Sequence, residues 1–362
     1  MKLPRTDRGR HCKALVCLRG QGLADRVVGR GRTILDLASR GEQLQHARAR
    51  PGQVSTSQVD LQKGEQNMPW IERILCPIDF SEFSTRAYGY AQSLARHYQA
   101  KLFLEHVVDY ALPSYPYYAP DPYLVDYFQQ LRENARVKLE EFAKQPTAYG
   151  GTVSDWVLYE GAPAESILCF AEQKRADLIV MGTHGRKGFD HAVLGSVAEK
   201  VLRKASCSVL VVGSPQHEFV SPGSAQDPVQ LRKLIFCTDL SEFSKRALDQ
   251  AIDIAAEYQA ELTVLHVLEG VPAPGDLQSV TQSLSAQLEE EIAPEARRRC
   301  LIKPLVRLGK PYLEIIKQAE QAQTDAVIMA VRGRNAVSLT VFGSTTYRVI
   351  QLGPCPVLAV KA

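Results

Sequence analysis

The segment ILCPIDFSEFS at residues 74–84 decides the fold, because it joins a short apolar run to an acidic turn and a helix start. The run predicts a buried strand, and Ser81 or Ser84 offers an N-cap for the helix that follows. A closely similar segment, LIFCTDLSEFS, returns at residues 234–244. The sequence therefore predicts a strand–turn–helix unit of α/β type that occurs twice.

The similarity between the two segments extends over most of the chain. An offset of 160 residues holds as far as His106 and His266, and a later offset of 148 relates Gly195-Ser196 to Gly343-Ser344. Matches at fixed offsets over so many positions indicate a duplication. The expected organisation is a first domain at 68–213, a linker at 214–230 and a second domain at 231–362.

Each copy alternates segments typical of strands and helices. In the first copy the expected strands are residues 74–78, 101–108, 153–159, 178–181 and 208–212, and the expected helices are 81–98, 126–144, 162–174 and 196–204. Alternating strands and helices imply right-handed crossovers and a parallel sheet covered on both faces. The predicted fold class is α/β, with two tandem doubly wound domains of five parallel strands each.

Residues 1–67 differ in composition from the rest of the chain. They hold 13 Lys or Arg against 6 Asp or Glu, and Met68 followed by Pro69-Trp70 resembles a natural start. We interpret residues 1–67 as a disordered or spurious basic extension; the alternative is a basic arm that docks an acidic partner.

Composition and charge exclude several classes of protein. Residues 68–362 hold 30 basic and 34 acidic residues, which is unlike a nucleic-acid binder. No apolar run reaches the ~18 residues of a membrane span, so no membrane partner is expected. The eight cysteines form no CxxC pair, which predicts neither a zinc site nor a disulfide framework and favours a cytoplasmic location.

A glycine-rich loop, GTHGRKGFDHAVLGS at residues 182–196, follows the predicted fourth strand. Gly182 and Gly185 allow a positive φ or a close approach to a ligand. Gly195-Ser196 opens the next helix, where free N–H groups attract an anion. The spacing is neither that of a P-loop nor that of GxGxxG, so the loop alone indicates an anion site without naming the ligand.

The spacing from Gly182 to Ser196 resembles the nucleotide-binding motif of the universal stress protein family, and the resemblance covers about residues 71–362. It implies strand order 3-2-1-4-5, pairing through the last strands, and binding of ATP with Mg²⁺. By position, the implied nucleotide-binding residues are Pro77, Ile78, Asp79, Val107, Met181, Gly182, His184, Gly185, Gly195, Ser196 and Val197.

Several of these residues have a simpler interpretation. Asp79 is either a ribose ligand or a turn residue, and His184 is either near the phosphates or solvated in its loop. In the second copy Ala330 replaces Gly182. If that position requires a positive φ, alanine costs ~1 kcal/mol or more, and its methyl group could also meet the ligand. These points favour a diverged second site.

Two further features remain open at this stage. His106 and His266 lack further ligands at matching spacing, so packing is favoured over a metal site. The first copy has a 12-residue insertion, which belongs to the tyrosine- and proline-rich stretch 110–127. It is a lid over the nucleotide, a partner surface or a stiff loop.

Three functions compete. The preferred one is a nucleotide-dependent regulatory protein of the stress response with no catalytic residues; the others are a slow ATPase and a nucleotide-independent interaction module. The final strands 208–212 and 357–360 are apolar edges that need covering. Their pairing within the chain predicts a pseudo-dimer, and two such chains could associate further as a homodimer or with other proteins.

Overall fold

The structure is a computed structural model, and it describes residues 18–19, 71–109, 122–144, 152–183, 194–213, 215–216, 218–220, 229–270, 277–331 and 343–361. Both sequence copies lie in one compact unit. A short strand, β1 (Leu18–Arg19), precedes them. The first copy contains β2 (Arg73–Pro77), α1 (Glu82–Tyr98), β3 (Lys101–Val108), α2 (Pro122–Lys144), β4 (Val153–Glu160), α3 (Pro163–Lys174), β5 (Leu178–Gly182), α4 (Ser196–Lys204) and β6 (Ser208–Val212).

The second copy repeats this order with one additional short helix. It contains β7 (Lys233–Thr238), α5 (Glu242–Glu257), β8 (Glu261–Leu268), α6 (Leu277–Glu291), α7 (Ala296–Arg299), β9 (Ile302–Leu308), α8 (Pro311–Ala322), β10 (Ala326–Val331), α9 (Ser344–Leu352) and β11 (Val357–Lys361). The α/β class and the tandem arrangement are confirmed.

The strands form one continuous sheet in the order β1-β4-β3-β2-β5-β6-β11-β10-β7-β8-β9. Within each copy the five strands are parallel and follow the order 3-2-1-4-5, as the resemblance implied. The copies meet where β6 pairs antiparallel with β11, with Leu210 opposite Leu358. The two apolar edges therefore cover each other within the chain.

Helices cover both faces of the sheet. On one face, Tyr88 of α1 and Leu139 of α2 belong to the core that includes Ile74 and Leu104. On the other face, α3 and α4 pack over a second core that includes Ile179. Strands buried on both faces explain the continuous apolar runs seen in the sequence.

Helix α1 begins at the position that the sequence predicted. The Oγ of Ser81 accepts a hydrogen bond from the N–H of Ser84 at 3.2 Å, so Ser81 is the N-cap. The helix ends at Gln99, whose φ of 53° places it in the left-handed region. The start of α1 thus follows directly on the turn after β2, and its end leads directly into β3.

Two features of the first copy and its edge were not predicted. Leu18 pairs antiparallel with Leu158 at the outer edge of β4, although residues 1–67 showed no strand signal. Cys169, in α3, is disulfide-bonded. The expectation of a chain without disulfides is therefore wrong at this cysteine.

Candidate functional site

The carboxyl ends of β2, β3 and β5 lie side by side in the first copy, and α4 begins beside them. Strand β2 pairs with β3 on one side and with β5 on the other. The strand order reverses at β2, because β3 is added on one side of it and β5 on the other. Doubly wound folds bind ligands in the crevice that this reversal creates at the carboxyl ends of the strands. The predicted site residues at these ends are Pro77, Ile78, Asp79, Val107, Met181 and Gly182.

Asp79 forms a tight turn between β2 and α1. Its Oδ1 accepts hydrogen bonds from the N–H of Ser81 at 3.0 Å and from the Ser81 hydroxyl at 2.6 Å. Phe80, between them, has a φ of 63°, a strained conformation for a bulky residue. Asp79 therefore acts as a turn residue, as one of the two interpretations of the sequence proposed.

The second copy builds the same turn with Asp239. Its Oδ1 accepts hydrogen bonds from the N–H of Ser241 at 3.0 Å and from the hydroxyl of Ser244 at 2.5 Å. Leu240 has a φ of 61°. Partial burial acts to raise the pKa of Asp239, but the hydrogen bonds from Ser241 and Ser244 outweigh it and hold the pKa below its usual value. This carboxylate is therefore ionised at neutral pH.

Gly182 is required by the approach of α1. A Cβ at this position would lie 2.9 Å from both the carbonyl carbon and the Cβ of Phe83. Gly182 is not among the described glycines with a positive φ, so the expected conformational reason is wrong. Ala330 of the second copy likewise has no positive φ, and it packs against the corresponding apolar core. The argument that Ala330 weakens the second site through backbone strain therefore fails.

The ends of the glycine loop are held together by backbone hydrogen bonds. Thr183 donates its N–H to Val212 O at 3.1 Å and accepts one from the N–H of Gly195 at 2.9 Å. Gly195 is the N-cap of α4, and no side-chain hydrogen bond from a described residue caps this helix. Its first N–H groups can therefore bind an anion. Ser196 is exposed at this end, and Val197 is half-buried behind it. His184 and Gly185, with Arg186 and Lys187, lie outside the described residues.

His106 packs against the strained turn that contains Phe80. It is 4% exposed, its Nδ1 lies 2.5 Å from Ile78 O, and its ring centroid is 4.6 Å from that of Phe80. His266 repeats the first contact, with its Nδ1 3.0 Å from Thr238 O. The described ranges contain no group of three or more His, Cys, Asp or Glu arranged to hold a metal. The contacts of both histidines are those of packing residues.

Comparison with known proteins identifies the fold's relatives. The sequence model of the universal stress protein family matches twice, over residues 71–213 and 230–361. The chain belongs to the universal stress protein family.

Individual universal stress proteins resemble one copy or both. One from Methanocaldococcus jannaschii is 37% identical over 151 residues, which is 41% of this chain and 85% of that protein. One from Mycolicibacterium smegmatis is 26% identical over 299 residues, covering 80% of this chain and 96% of that protein. The crystal structure of a universal stress protein from Archaeoglobus fulgidus superposes with a TM-score of 0.57 at 21% identity, over 82% of this chain and 98% of that one. That structural match supports the fold.

One residue beside the site of the first universal stress domain was missed in the sequence. Glu105, on β3, is completely buried, and burial raises the pKa of its carboxyl well above the usual value. The duplication could have revealed it, because the offset of 160 places Leu265 at the same position. The stretch 110–121 with its tyrosines lies outside the described residues, whereas Tyr127 is an exposed residue of α2.

Within the described ranges, every helix is too short or too polar to traverse a lipid bilayer.

Proposed function

We propose that the first domain, residues 68–213, binds ATP with Mg²⁺, and that the protein acts as a nucleotide-dependent regulator in the stress response. The observation that supports this most directly is the start of α4, which no side chain of a described residue caps, beside the carboxyl ends of β2 and β5. The Gly182–Ser196 loop supports the same ligand, since its spacing resembles the nucleotide-binding motif of the family to which the chain belongs.

The residues present suit the parts of a nucleotide. The free N–H groups at the start of α4 and the Ser196 hydroxyl would hold phosphate. Asp79, at the carboxyl end of β2, would accept hydrogen bonds from the ribose hydroxyls, since a carboxylate is an acceptor at both oxygens. Val107, half-buried at the end of β3, and Pro77 offer apolar surface to the base. Mg²⁺ would be bound largely through the phosphates, as it usually is in nucleotide sites.

The described residues of this site offer no activated nucleophile. The Ser81 hydroxyl donates to Asp79 but also accepts the N–H of Ser84, so it is committed to the start of α1. We therefore assign no catalytic residue. Binding and release of the nucleotide, rather than its turnover, would carry the signal.

A nucleotide-independent interaction module is the second candidate, and one observation favours it. The close contact of Gly182 with Phe83 explains that glycine without any ligand. This contact does not account for the spacing of the whole Gly182–Ser196 loop, which resembles a nucleotide-binding motif, so we favour the binding site.

The first test is the nucleotide content of the freshly purified full chain after denaturation. We expect about one adenine nucleotide per chain, lost in Gly195→Val and retained in the matched variant Gly343→Val. Valine at either position places a side chain at the helix start, where only the first copy is proposed to hold ligand. Among the described residues, the Cβ at Gly343 would meet only Thr346 Oγ1, 3.7 Å away, so the control is expected to fold.

Each alternative outcome has a defined meaning. About two nucleotides per chain, with one lost in each variant, would show that the second domain, residues 231–362, binds as well. No nucleotide, and no binding after ATP and Mg²⁺ are added, would refute the proposal and leave the interaction module. Steady phosphate release that disappears in Gly195→Val would identify an ATPase.

A further inference from the structure

The two outer edges of the sheet differ in what protects them from pairing with further strands. At one end, β9 carries Lys303, Pro304 and Arg307, and charged residues and proline on an edge strand discourage such pairing. At the other end, β4 has no proline, and residues 157–159 form an apolar run. This edge is instead covered by β1, which pairs antiparallel with it. The first domain therefore depends on β1 to close its outer edge.

The pairing of β1 with β4 is very short. It consists of Leu18 opposite Leu158 and Arg19 opposite Val157, whereas strands in globular proteins usually have at least about three residues. A pairing of this length needs a second attachment if it is to persist.

A disulfide connects α3 to the segment that leads into β1. Cys169, in α3, is disulfide-bonded. Five of the eight cysteines of the chain are free, namely Cys76, Cys207, Cys237, Cys300 and Cys355. The partner of Cys169 is therefore Cys12 or Cys17, and both precede Leu18 in the sequence.

The register of β1 favours Cys17 over Cys12. Continuing the antiparallel register by one residue puts Cys17, which lies outside the described residues, opposite Tyr159 of β4. The same register would put Cys12 opposite residue 164, beyond the end of β4. Residues directly opposite each other in an antiparallel pair lie on the same face of the sheet, with Cβ atoms about 4.5–5.5 Å apart. The side chain of Cys17 is therefore expected beside that of Tyr159.

The side chain of Tyr159 is directed at α3, close to Cys169. Its ring packs against Phe170, with the ring centroids 5.7 Å apart. Its hydroxyl donates to Gln173 Oε1 at 3.5 Å, and Gln173 Nε2 lies 3.3 Å from Cys169 Sγ. A cysteine opposite Tyr159 and on the same face thus faces the helix that carries the bonded Cys169.

We propose that Cys17 and Cys169 form a redox-sensitive disulfide that holds β1 on the outer edge of β4. Hydrogen peroxide takes two electrons and two protons from the two thiols, so that the S–S bond forms and two molecules of water are released. A dithiol reductant reverses the step: the S–S bond breaks, both cysteines become thiols, and the reductant becomes a disulfide. Reduction releases β1 and leaves the edge of β4 open for pairing. Part of the segment 1–67 then belongs to the folded first domain, rather than being a disordered or spurious extension.

The first test is peptide mapping of the full chain by mass spectrometry without reductant, after treatment with hydrogen peroxide. Trypsin cleaves after Lys13 and thus separates Cys12 from Cys17. We expect a linked pair of peptides, 14–19 and 145–174, that comes apart after reduction with dithiothreitol. Cys12→Ser should leave this pair intact, and Cys17→Ser should abolish it. A link from Cys169 to Cys12, or a Cys169 that stays a free thiol, would overturn the assignment.

The second test is hydrogen–deuterium exchange of β4, residues 153–160, in the oxidised and the reduced full chain. Reduction should raise the exchange rate of the amides at the outer edge at least about tenfold, because a two-residue strand has lost its covalent attachment. Cys17→Ser should exchange at the reduced rate under both conditions, while the control Cys12→Ser should respond as the wild type does. Equal exchange in both states of the wild type would overturn the role of the disulfide in holding β1, however the variants fold.

Discussion

Replacing Gly182 by alanine tests whether this glycine serves the fold or the ligand. The new Cβ would lie 2.9 Å from the carbonyl carbon and the Cβ of Phe83, and 3.1 Å from its carbonyl oxygen. Two of these atoms belong to the backbone of α1, so a rotamer change cannot relieve the contact. The helix and strand β5 must instead move apart.

The size of the effect follows from two opposing terms. Overpacking costs about 1–3 kcal/mol, while alanine recovers about 0.5–1 kcal/mol because it restricts the unfolded chain more than glycine does. We expect Gly182→Ala to lower the free energy of unfolding by about 1–2 kcal/mol. The reverse change in the second copy, Ala330→Gly, creates no clash and should cost only about 0.5–1 kcal/mol.

The assay is urea denaturation of the nucleotide-free full chain, followed by circular dichroism, for both variants and the wild type. The result that would refute the reasoning is a Gly182→Ala variant as stable as the wild type or more so. If that variant had also lost nucleotide binding, the glycine would be explained by close approach of a ligand, and the steric role of Phe83 would be wrong.

Two further predictions concern the same domain. Because the pKa of Glu105 is raised from its ordinary value of 4.5, the folded protein holds a proton that the unfolded chain has lost, and stability falls as pH rises above about 4.5. Glu105→Leu removes this loss, so its stability advantage in urea denaturation should be larger at about pH 8 than at about pH 5; a constant difference would contradict the buried-carboxyl assignment. Ser81→Ala removes the N-cap bond to Ser84 and should cost about 1 kcal/mol of unfolding free energy. An unchanged urea midpoint would show that the Asp79 turn alone holds the helix start.

Much of the fold follows from local signals in the sequence. The strand Lys101–Val108 and the helix Ser196–Lys204 have the predicted bounds, because a β-rich apolar segment and a Gly-Ser start are strong signals at short range. The pairing of β6 with β11 was predicted from the need to cover two apolar edges. Helix α2 starts at Pro122 rather than at 126, since proline at a helix start was interpreted as part of the preceding loop.

The features that escaped prediction depend on contacts between distant segments. The reason for Gly182 is the proximity of Phe83, almost a hundred residues earlier, and no local pattern contains it. The left-handed conformation of Phe80 is imposed by the Asp79 turn and the buried His106 beside it. The burial of Glu105 contradicts its residue type, and only comparison of the two copies singles it out. The positions of strands and helices were thus predictable where the sequence repeats or alternates. The roles of individual residues were not predictable where they depend on tertiary packing.

At the contact between α1 and α5, equivalent positions of the two covalently linked copies hold different residues. His97 and Glu257 occupy equivalent positions in the duplication, yet they form an unlike pair, with His97 Nε2 3.4 Å from Glu257 Oε1. The hydroxyl of Tyr98 donates to Glu257 Oε2 at 3.1 Å, and that of its equivalent Tyr258 donates to the Tyr98 hydroxyl at 3.0 Å.

A symmetric dimer of one copy would place like residues together at this contact, His beside His or Glu beside Glu. Where equivalent positions meet, a complementary pair requires that the two copies differ in sequence, and the linker holds the two surfaces at high effective concentration. Divergence at this seam favours pairing of the two copies with each other over pairing of either copy with itself. The same freedom explains Glu105 and Leu265. Because each copy pairs with a different surface, the two could diverge at this position, so that one holds a buried carboxyl without a hydrogen-bond partner among the described residues and the other a buried leucine.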